Sequence, residues 1–381
     1  MKSICRSGTV CLLLGVFLFF NISELRAEAP QPLFNVGYQV LDLKYIKDNQ
    51  EQSLTVAVWY PTAQQPKTYN YGGPTNGNVA VDATPYAKAG PYPLLVFSHG
   101  FGGSGLGSMF FTETLAALGW IVACPDHHDK YSAVRIRTGQ NQNLDRLGFM
   151  KQGKEIASSG PEDRGKYFYR LDEMKLVLDG MQASGIFGQL IDPDRIAVGG
   201  HSFGGFTALG LCGTIKERRD LRIKALLLFS TGAGGYLYTE EELSAVRIPC
   251  MLFMGQREEK QSRGSHKMSE LSAKIFENLS GPKYFLEVKG ASHFSFNNCF
   301  AKNLRTKLLS GTKKQFEVIR KYSIAFLEEY IAERKDFGHL LEQRDPLLTR
   351  YLREPVLDAS KQGLADDTQP DVSADEDKPR D

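Results

Sequence analysis

The chain has 381 residues, of which 42% are hydrophobic, 24% charged and 11% aromatic. This composition is typical of a folded globular protein and excludes a disordered chain, a fibre and a multi-span membrane protein. Because 46 Lys and Arg residues stand against 44 Asp and Glu residues, the formal net charge is only +2, which argues against nucleic acid as a partner.

The N-terminal segment has the three parts of a secretory signal peptide. Basic residues precede an apolar run at 10–20, and small residues follow at Ala27 and Ala29. We expect cleavage after Ala27, since Pro30 would block a cut after Ala29, so residues 1–27 are the signal peptide of a secreted or periplasmic protein. A retained anchor is the alternative, but the apolar run is about half of the ~20 residues that span a bilayer, so we expect no stable membrane span after processing.

Short β-rich apolar runs alternate with helix-like stretches through the rest of the chain. Two alternating runs at 36–43 and 54–60 predict an antiparallel pair, and a connector rich in Pro, Gly and Asn follows at 61–93. Further strands are expected at 94–99, 121–124, 196–200, 225–229, 250–254 and 284–288, with helices at 109–118, 171–183, 203–211, 266–279 and 313–331. The series predicts one α/β domain at 28–354: a mostly parallel twisted sheet with helices on both faces, extended by the N-terminal antiparallel strands.

Two segments stand outside this alternation. Residues 130–170 form an irregular insertion with nine basic and four acidic residues, which is either a cap over an active site or a solvated surface loop. Residues 355–381 carry eight acidic and three basic residues and have few large apolar side chains. We expect this segment to be a disordered acidic tail, because it cannot bury enough surface to fold.

The motif GHSFG at 200–204 is the central chemical signal. A strand-like run precedes it and a helix-like run follows, so Ser202 is expected at a sharp strand-to-helix turn that lifts its hydroxyl above the sheet. Gly200 and Gly204 fit this turn because larger side chains would collide there. The alternative is a glycine-rich turn with a capping serine. We predict that Ser202 is a nucleophile.

A serine hydroxyl needs an adjacent base, and the seven histidines allow an elimination. Three of them are set aside because they precede Ser202 in the chain, namely His99, His127 and His128. His201 is set aside because, as the neighbour of Ser202, it is expected to direct its side chain elsewhere. Of the remaining three, His293 follows the last predicted parallel strand, where the base of such a fold belongs. His266 at the start of a helix and His339 beyond the sheet are expected at the surface, so we predict that His293 is the base.

The other two parts of the predicted site come from loops at strand ends. Glu258, three residues after Gly255, is the predicted acid that orients the imidazole, with Glu259 as the competitor and an acid elsewhere as the third alternative. The backbone N–H groups of Phe101 and Phe203 are the predicted oxyanion hole. Their side chains, flanking the nucleophile, are expected to form an apolar acyl pocket that favours short or medium acyl groups.

The sequence gives no reason to expect a cofactor or a metal. No GK[ST] phosphate loop and no complete dinucleotide motif is present. The cluster PDHHD at 125–129 suggests a metal site, but adjacent side chains seldom converge on one ion, so a turn is the preferred interpretation. Four cysteines remain after signal removal, namely Cys124, Cys212, Cys250 and Cys299, and their three pairings stay open beside the alternative of buried free thiols.

Four motifs in order carry a family resemblance: LLVFSHGFGG (94–103), ACPDHHD (123–129), GHSFGG (200–205) and GASHFSF (290–296). Over about residues 34–332 the chain resembles the α/β-hydrolases, and within them the platelet-activating-factor acetylhydrolase and predicted dienelactone hydrolase group. Acetylhydrolases carry the acid after the strand that matches 225–229, where this chain has Ser230 and Thr231. Dienelactone hydrolases use a cysteine nucleophile, and the similar secreted polyester hydrolases usually have GHSMG and a clamping Trp, both of which differ here.

The resemblance and the predicted triad together imply an α/β-hydrolase fold and an exported serine carboxylester hydrolase. We expect a small-molecule or lipid ester as substrate. The alternatives are a phospholipid esterase like the acetylhydrolases, a secreted polyester hydrolase, a peptidase and a catalytically silent binding protein of the same fold. Peptidases of this fold usually have a large N-terminal propeller, for which the segment before residue 94 is too short.

Overall fold

A computed structural model of the chain describes residues 32–263, 266–298, 300 and 310–354. Three sequence-based expectations fall wholly or partly outside these ranges: the signal peptide at 1–27, the acidic tail at 355–381 and the pairing of Cys299. The rest of the expected domain at 28–354 can be compared with its predicted elements.

Eight of the fifteen described strands overlap the predicted ones, and the other seven have no predicted counterpart. The described strands are β1 (Asn35–Lys47), β2 (Gln50–Thr62), β3 (Lys67–Gly72), β4 (Thr75–Val81), β5 (Tyr92–Ser98), β6 (Ile121–Pro125), β7 (Val134–Arg135), β8 (Gly139–Gln140), β9 (Ile191–His201), β10 (Ile223–Phe229), β11 (Cys250–Gly255), β12 (Ser262–Arg263), β13 (His266–Lys267), β14 (Lys283–Val288) and β15 (Leu348–Glu354).

Eleven of these strands form one sheet in the order β15-β14-β11-β10-β9-β5-β6-β2-β1-β4-β3. The pairs from β6 through β5, β9, β10 and β11 to β14 are all parallel. At one end β2 pairs antiparallel with both β6 and β1, and at the other end β15 pairs antiparallel with β14. The predicted mostly parallel sheet with N-terminal antiparallel strands is therefore confirmed.

The helices pack on both faces of the sheet. They are α1 (Met109–Ala117), α2 (Arg146–Ser158), α3 (Tyr169–Ala183), α4 (Phe203–Leu209), α5 (Ala233–Leu237), α6 (Glu240–Ser244), α7 (Met268–Asn278), α8 (Lys313–Tyr330) and α9 (Gly338–Glu342). The two faces have separate apolar cores, because successive side chains of a strand point to opposite sides. Leu95 and Phe97 of β5 join α1 and α8 in one core, whereas Leu94 and Val96 join α3, α4 and α7 in the other.

Several segments contain more regular structure than the sequence predicts. The connector at 61–93 holds β3 and β4, which extend the sheet beyond β1. The insertion at 130–170 holds the small hairpin of β7 and β8 and the thirteen-residue helix α2, so describing it as irregular was wrong. The edge strand β15 also has no counterpart in the prediction. Few side chains of these elements are buried, so their hydrophobic periodicity in the sequence is weak.

Candidate active site

Ser202 lies at the turn between β9 and α4, as its motif predicts. Its backbone has φ 55° and ψ −116°, a conformation that non-glycine residues seldom adopt, and its N–H donates to the carbonyl oxygen of Phe229 over 2.9 Å. A Cβ on Gly200 would lie 2.3 Å from the Gly204 backbone, and a Cβ on Gly204 would lie 2.1 Å from the Ser98 carbonyl oxygen. The two glycines are thus required by the close approach of backbones around a strained serine.

His293 begins a short 3-10 turn, His293–Phe296, after β14. The carbonyl oxygen of His293 is 2.9 Å from Nε2 of His201, and the two imidazole rings are 4.9 Å apart between centroids. The residue before Ser202 in the chain therefore contacts His293 directly. The other two candidate bases, His266 and His339, are exposed.

Glu258 ends the 3-10 turn that follows β11, and its side chain is fully buried. Its Oε2 is 3.0 Å from Nδ1 of His293, and its Oε1 accepts a hydrogen bond of 2.8 Å from the N–H of Gly255. Burial acts to raise the pKa of Glu258, but the hydrogen bonds and the nearby imidazole outweigh it and hold that pKa below its ordinary value. Glu259, the competing acid, is exposed.

Ser230 is a member of this cluster to which sequence reasoning assigned no role. It follows β10, its side chain is buried, and its Oγ donates to Oε2 of Glu258 over 2.5 Å. The same Oγ is 2.6 Å from Nδ1 of His293. In the sequence, its position directly after a buried strand was the available signal, because that is where the polar groups of a parallel sheet meet.

The loop after β5 contains the first of the two predicted oxyanion donors, Phe101. A Cβ on Gly100 would lie 3.1 Å from Cβ of Ser202, so this loop runs against the nucleophilic turn. Phe203 is the first residue of α4, where backbone N–H groups have no partner within the helix. Both N–H groups remain predicted oxyanion donors.

The side chains of these two phenylalanines have different surroundings. The ring of Phe203 is only 2% exposed and packs on Phe206 and Tyr167, with centroid distances of 5.4 and 5.1 Å. The expectation that Phe203 forms a wall of an acyl pocket is therefore wrong, because the first turn of α4 directs this ring into the core. Phe101 is half-buried and stacks on Phe149 of α2 at 4.8 Å.

Helix α2 brings the insertion next to the β5 loop. Its N-terminus is capped by Asp145, whose side chain accepts from the N–H of Gly148 over 3.0 Å. Phe149 contacts the β5 loop, since a Cβ on Gly102 would lie 2.3 Å from its ring. On the opposite side of α2, Leu147 is 81% exposed. The insertion thus places a helix beside the loop that carries Phe101, and both a cap and a solvated surface segment remain possible interpretations of it.

A buried polar network lies under the β5 loop and contains the PDHHD cluster. Nε2 of His127 is 2.8 Å from Oγ of Ser98, and its Nδ1 is 2.7 Å from Oε2 of Glu173. Asp129 forms a buried ion pair with Arg170, in which Nη2 lies 2.7 Å from Oδ2. The cluster thus belongs to a buried hydrogen-bond network and is not a simple turn. Among residues 32–263, 266–298, 300 and 310–354, no group of three His, Cys, Asp or Glu side chains could hold a metal.

Three of the four cysteines expected after signal removal lie in the described part of the chain. Cys124, Cys212 and Cys250 are buried free thiols. Burial raises the pKa of each of these thiols above its ordinary value, so they are held in the unreactive protonated form.

Within the described part of the chain, the helices are all too short or too polar to span a membrane.

The chain is similar to known proteins in family, in sequence and in structure. The PET hydrolase-like family matches residues 63–345. The platelet-activating factor acetylhydrolase of Cavia porcellus is 25% identical, with 75% of this chain and 70% of the relative covered. The protein of the same name from Gallus gallus is 24% identical, with 65% and 64% covered. The structure of a ferulic acid esterase from Streptomyces cinnamoneus has the same fold, with a TM-score of 0.61 at 21% identity over 84% of this chain and 95% of that one.

Proposed function

We propose that this chain, which belongs to the PET hydrolase-like family, is an exported serine hydrolase that acts on short- or medium-acyl esters through an acyl-enzyme intermediate. The chain has the α/β-hydrolase fold and is a carboxylic ester hydrolase. The acyl range, the export and the role of each residue are our proposal.

The proposed roles of Ser202, His293 and Glu258 depend mainly on one observation. The Glu258 carboxylate lies 3.0 Å from Nδ1 of His293, and the His293 carbonyl is held by the ring of His201, next to Ser202 in the chain. A buried carboxylate on Nδ1 holds the imidazole proton on that nitrogen and leaves Nε2 free to accept a proton. Together with the strained backbone of Ser202, this is the arrangement that an acyl-transfer site needs.

In the first half of the reaction, Oγ of Ser202 attacks the ester carbonyl carbon while Nε2 of His293 takes the hydroxyl proton. The negative charge that develops on the carbonyl oxygen is stabilised by the N–H groups of Phe101 and Phe203. The carbon–oxygen bond to the leaving group then breaks, and the imidazolium returns its proton to the departing alcohol. Glu258 stabilises the imidazolium during this step.

In the second half, water replaces the alcohol. His293 takes a proton from the water, the resulting hydroxide attacks the acyl carbon, and the bond to Oγ of Ser202 breaks with return of the proton to that oxygen. The steps use only this chain's side chains, its backbone N–H groups and water.

The preference for short or medium acyl groups is supported by aromatic side chains near the nucleophile. Phe101 stacks on Phe149, which places an apolar surface at the junction of the β5 loop and α2. We propose that this pair contacts the acyl chain and that the helix of the 130–170 insertion acts as a cap that limits its length.

Export and domain organisation complete the proposal. We propose that residues 1–27 are removed as a signal peptide, that 28–354 form the hydrolase domain, and that 355–381 are an acidic tail that does not fold. These assignments rest on the sequence patterns described above.

Two more specific substrates are each favoured by one comparison. The matched relatives named platelet-activating factor acetylhydrolase favour a phospholipid with a short acyl group. The family match favours a polyester. Hydrolysis of a short-acyl phosphatidylcholine or of a polyester film faster than of a simple ester would identify either substrate class.

The first test is hydrolysis of p-nitrophenyl esters from acetyl to palmitoyl by the purified mature chain. Activity on the short chains that disappears in Ser202→Ala, together with loss of fluorophosphonate labelling, supports the proposal. Ser244→Ala changes an exposed serine of α6 and serves as the matched control, which should keep full activity. Equal labelling of Ser202→Ala would refute the nucleophile, long-chain activity would refute the acyl range, and no activity on any ester would favour the silent binding protein.

A further inference from the structure

A third side chain stands between the base and the acid of the proposed site. Oγ of Ser230, Oε2 of Glu258 and Nδ1 of His293 form a triangle with sides of 2.5, 2.6 and 3.0 Å. The distance from Nδ1 to the serine oxygen is shorter than its distance to the carboxylate. The carboxylate therefore has a competitor for the imidazole proton.

The hydrogen-bonding capacity of the three side chains determines which of them donates and which accepts in each contact. The pKa of Glu258 lies below its ordinary value, because the contacts to His293 and Ser230 outweigh the effect of burial, so its carboxylate is ionised and only accepts. The Ser230 hydroxyl has one proton, which goes to Glu258, and its lone pair can then accept only from an N–H. Nδ1 of His293 must carry that N–H, and its proton is shared between Ser230 and Glu258.

The sheet order explains why a residue of β10 reaches this point. The nucleophile follows β9 and the proposed acid follows β11, and β10 lies between these two strands. Ser230 is the first residue after β10, and its N–H donates to the carbonyl oxygen of Phe253 on β11 over 2.8 Å. This bond anchors the end of β10 to the strand that carries the acid.

The backbone of Ser230 is held in an unfavourable conformation. Its φ of 49° lies in the left-handed region, which is unfavourable for a residue with a Cβ and persists only where the surroundings impose it. The side chain is also fully buried, so it has no solvent to compensate for a lost partner. Both features indicate that the contacts with Glu258 and His293 determine the position of the Ser230 side chain.

We propose that Ser230 is a positioning residue of the hydrolase. Its hydroxyl accepts a hydrogen bond from the N–H at Nδ1 of His293 and donates one to Glu258, and it thereby fixes the imidazole tautomer. This inference rests on the proposed function and adds a fourth side chain to it. Ser230 forms no covalent bond and transfers no proton. It keeps Nε2 of His293 unprotonated in the resting enzyme and adds an acceptor for the imidazolium when that forms.

The test is the steady-state kinetics of Ser230→Ala on the best p-nitrophenyl ester. We expect kcat to fall on the order of 10- to 100-fold, which corresponds to the loss of a hydrogen bond to a charged group. We expect KM to stay within about twofold, since the buried hydroxyl does not face the substrate. A fall in kcat at nearly unchanged KM is a split that a purely structural role would not produce.

A matched control is offered by the next residue. Thr231 is as buried as Ser230, but in the described part of the chain its Oγ1 has no hydrogen-bond partner. Thr231→Val keeps the shape and removes the hydroxyl, so kcat should match that of the unsubstituted protein. Ser230→Gly provides a second reading if Ser230→Ala does not fold, because glycine adopts the positive φ without strain.

The outcomes separate this inference from the proposed function. If the unsubstituted chain is active and Ser230→Ala and Ser230→Gly keep its kcat, the role of Ser230 is refuted and the esterase proposal stands. If Thr231→Val loses as much activity as Ser230→Ala, the effect is one of packing and the role of Ser230 is again refuted. If the unsubstituted chain hydrolyses no ester, it is the proposed function that fails.

Discussion

Replacing Arg170 by methionine should destabilise the protein strongly, because it breaks a buried ion pair. The Arg170 and Asp129 side chains are 0% and 1% exposed, and the pair is bidentate, with Nε to Oδ1 at 2.9 Å and Nη2 to Oδ2 at 2.7 Å. Nη1 also donates to the carbonyl oxygen of His99 over 2.9 Å, and the guanidinium lies 4.8 Å from the ring centroid of Phe203. One side chain thus links α3 to the β5 loop and to the start of α4.

The magnitude follows from what remains after the substitution. Methionine fills much of the same volume, but among the described residues the Asp129 carboxylate keeps only the Tyr169 hydroxyl, at 2.6 Å, as a side-chain donor. Leaving a buried charge without its partner costs about 3–5 kcal/mol. With a urea dependence of up to about 3 kcal/mol per molar, the unfolding midpoint should fall by about 1–2 M.

The assay is urea unfolding followed by circular dichroism, with two comparison variants. Asp129→Asn in the Arg170→Met background removes the unpaired charge, so the double variant should be more stable than Arg170→Met alone. Lys44→Met breaks the pair with Glu51, whose partners are 69% and 62% exposed, and should cost less than about 1 kcal/mol. A midpoint for Arg170→Met equal to that of Lys44→Met would refute the reasoning, as would a double variant less stable than the single one.

Three further predictions concern the acid, the buried network and the nucleophilic turn. Glu258→Gln should lower kcat on the order of 10⁴-fold, whereas Glu259→Gln, at an exposed neighbour, should stay within about twofold; equal losses in ester hydrolysis would reject Glu258 as the acid. Burial acts to raise the pKa of Glu173, but its two histidine partners outweigh burial and lower that pKa to about 2. The ionised Glu173 side chain therefore stabilises the fold fully above about pH 4.5, and this contribution is lost as the pH falls toward 2. In urea titrations the stability difference between the unsubstituted protein and Glu173→Gln should therefore shrink from pH 5 to pH 3, and a difference that grows would contradict this sign. Gly204→Ala places a Cβ 2.1 Å from a β5 carbonyl oxygen and should cost about 1–3 kcal/mol, while Gly165→Ala, with no atom within 4 Å of its Cβ, should be neutral in the same assay.

The sequence by itself determined the features that depend on neighbours in the chain. The alternation of apolar runs was sufficient to predict the parallel strands and the helices α1, α3, α4, α7 and α8, because the period of each secondary structure repeats along consecutive residues. Helices α2, α5 and α6, which also lie between the parallel strands, were not predicted. The strand-to-helix turn at Ser202 followed in the same way, since its two glycines and its flanking runs lie within a few residues. The order of motifs also singled out His293, which stays a predicted base until activity is measured.

Only the tertiary structure decided which side chains from different strands meet. Glu258 and Glu259 are adjacent in the chain, and only the folded turn after β11 shows that the first is buried against His293 and the second is exposed. For Ser230 the sequence offered only its position after a buried strand, and for Arg170 it offered no signal, because the partners of both residues lie 28 to 71 residues away. Contacts of this kind depend on the order of strands in the sheet and on which loops share an edge, and a linear pattern of polarity does not contain that order.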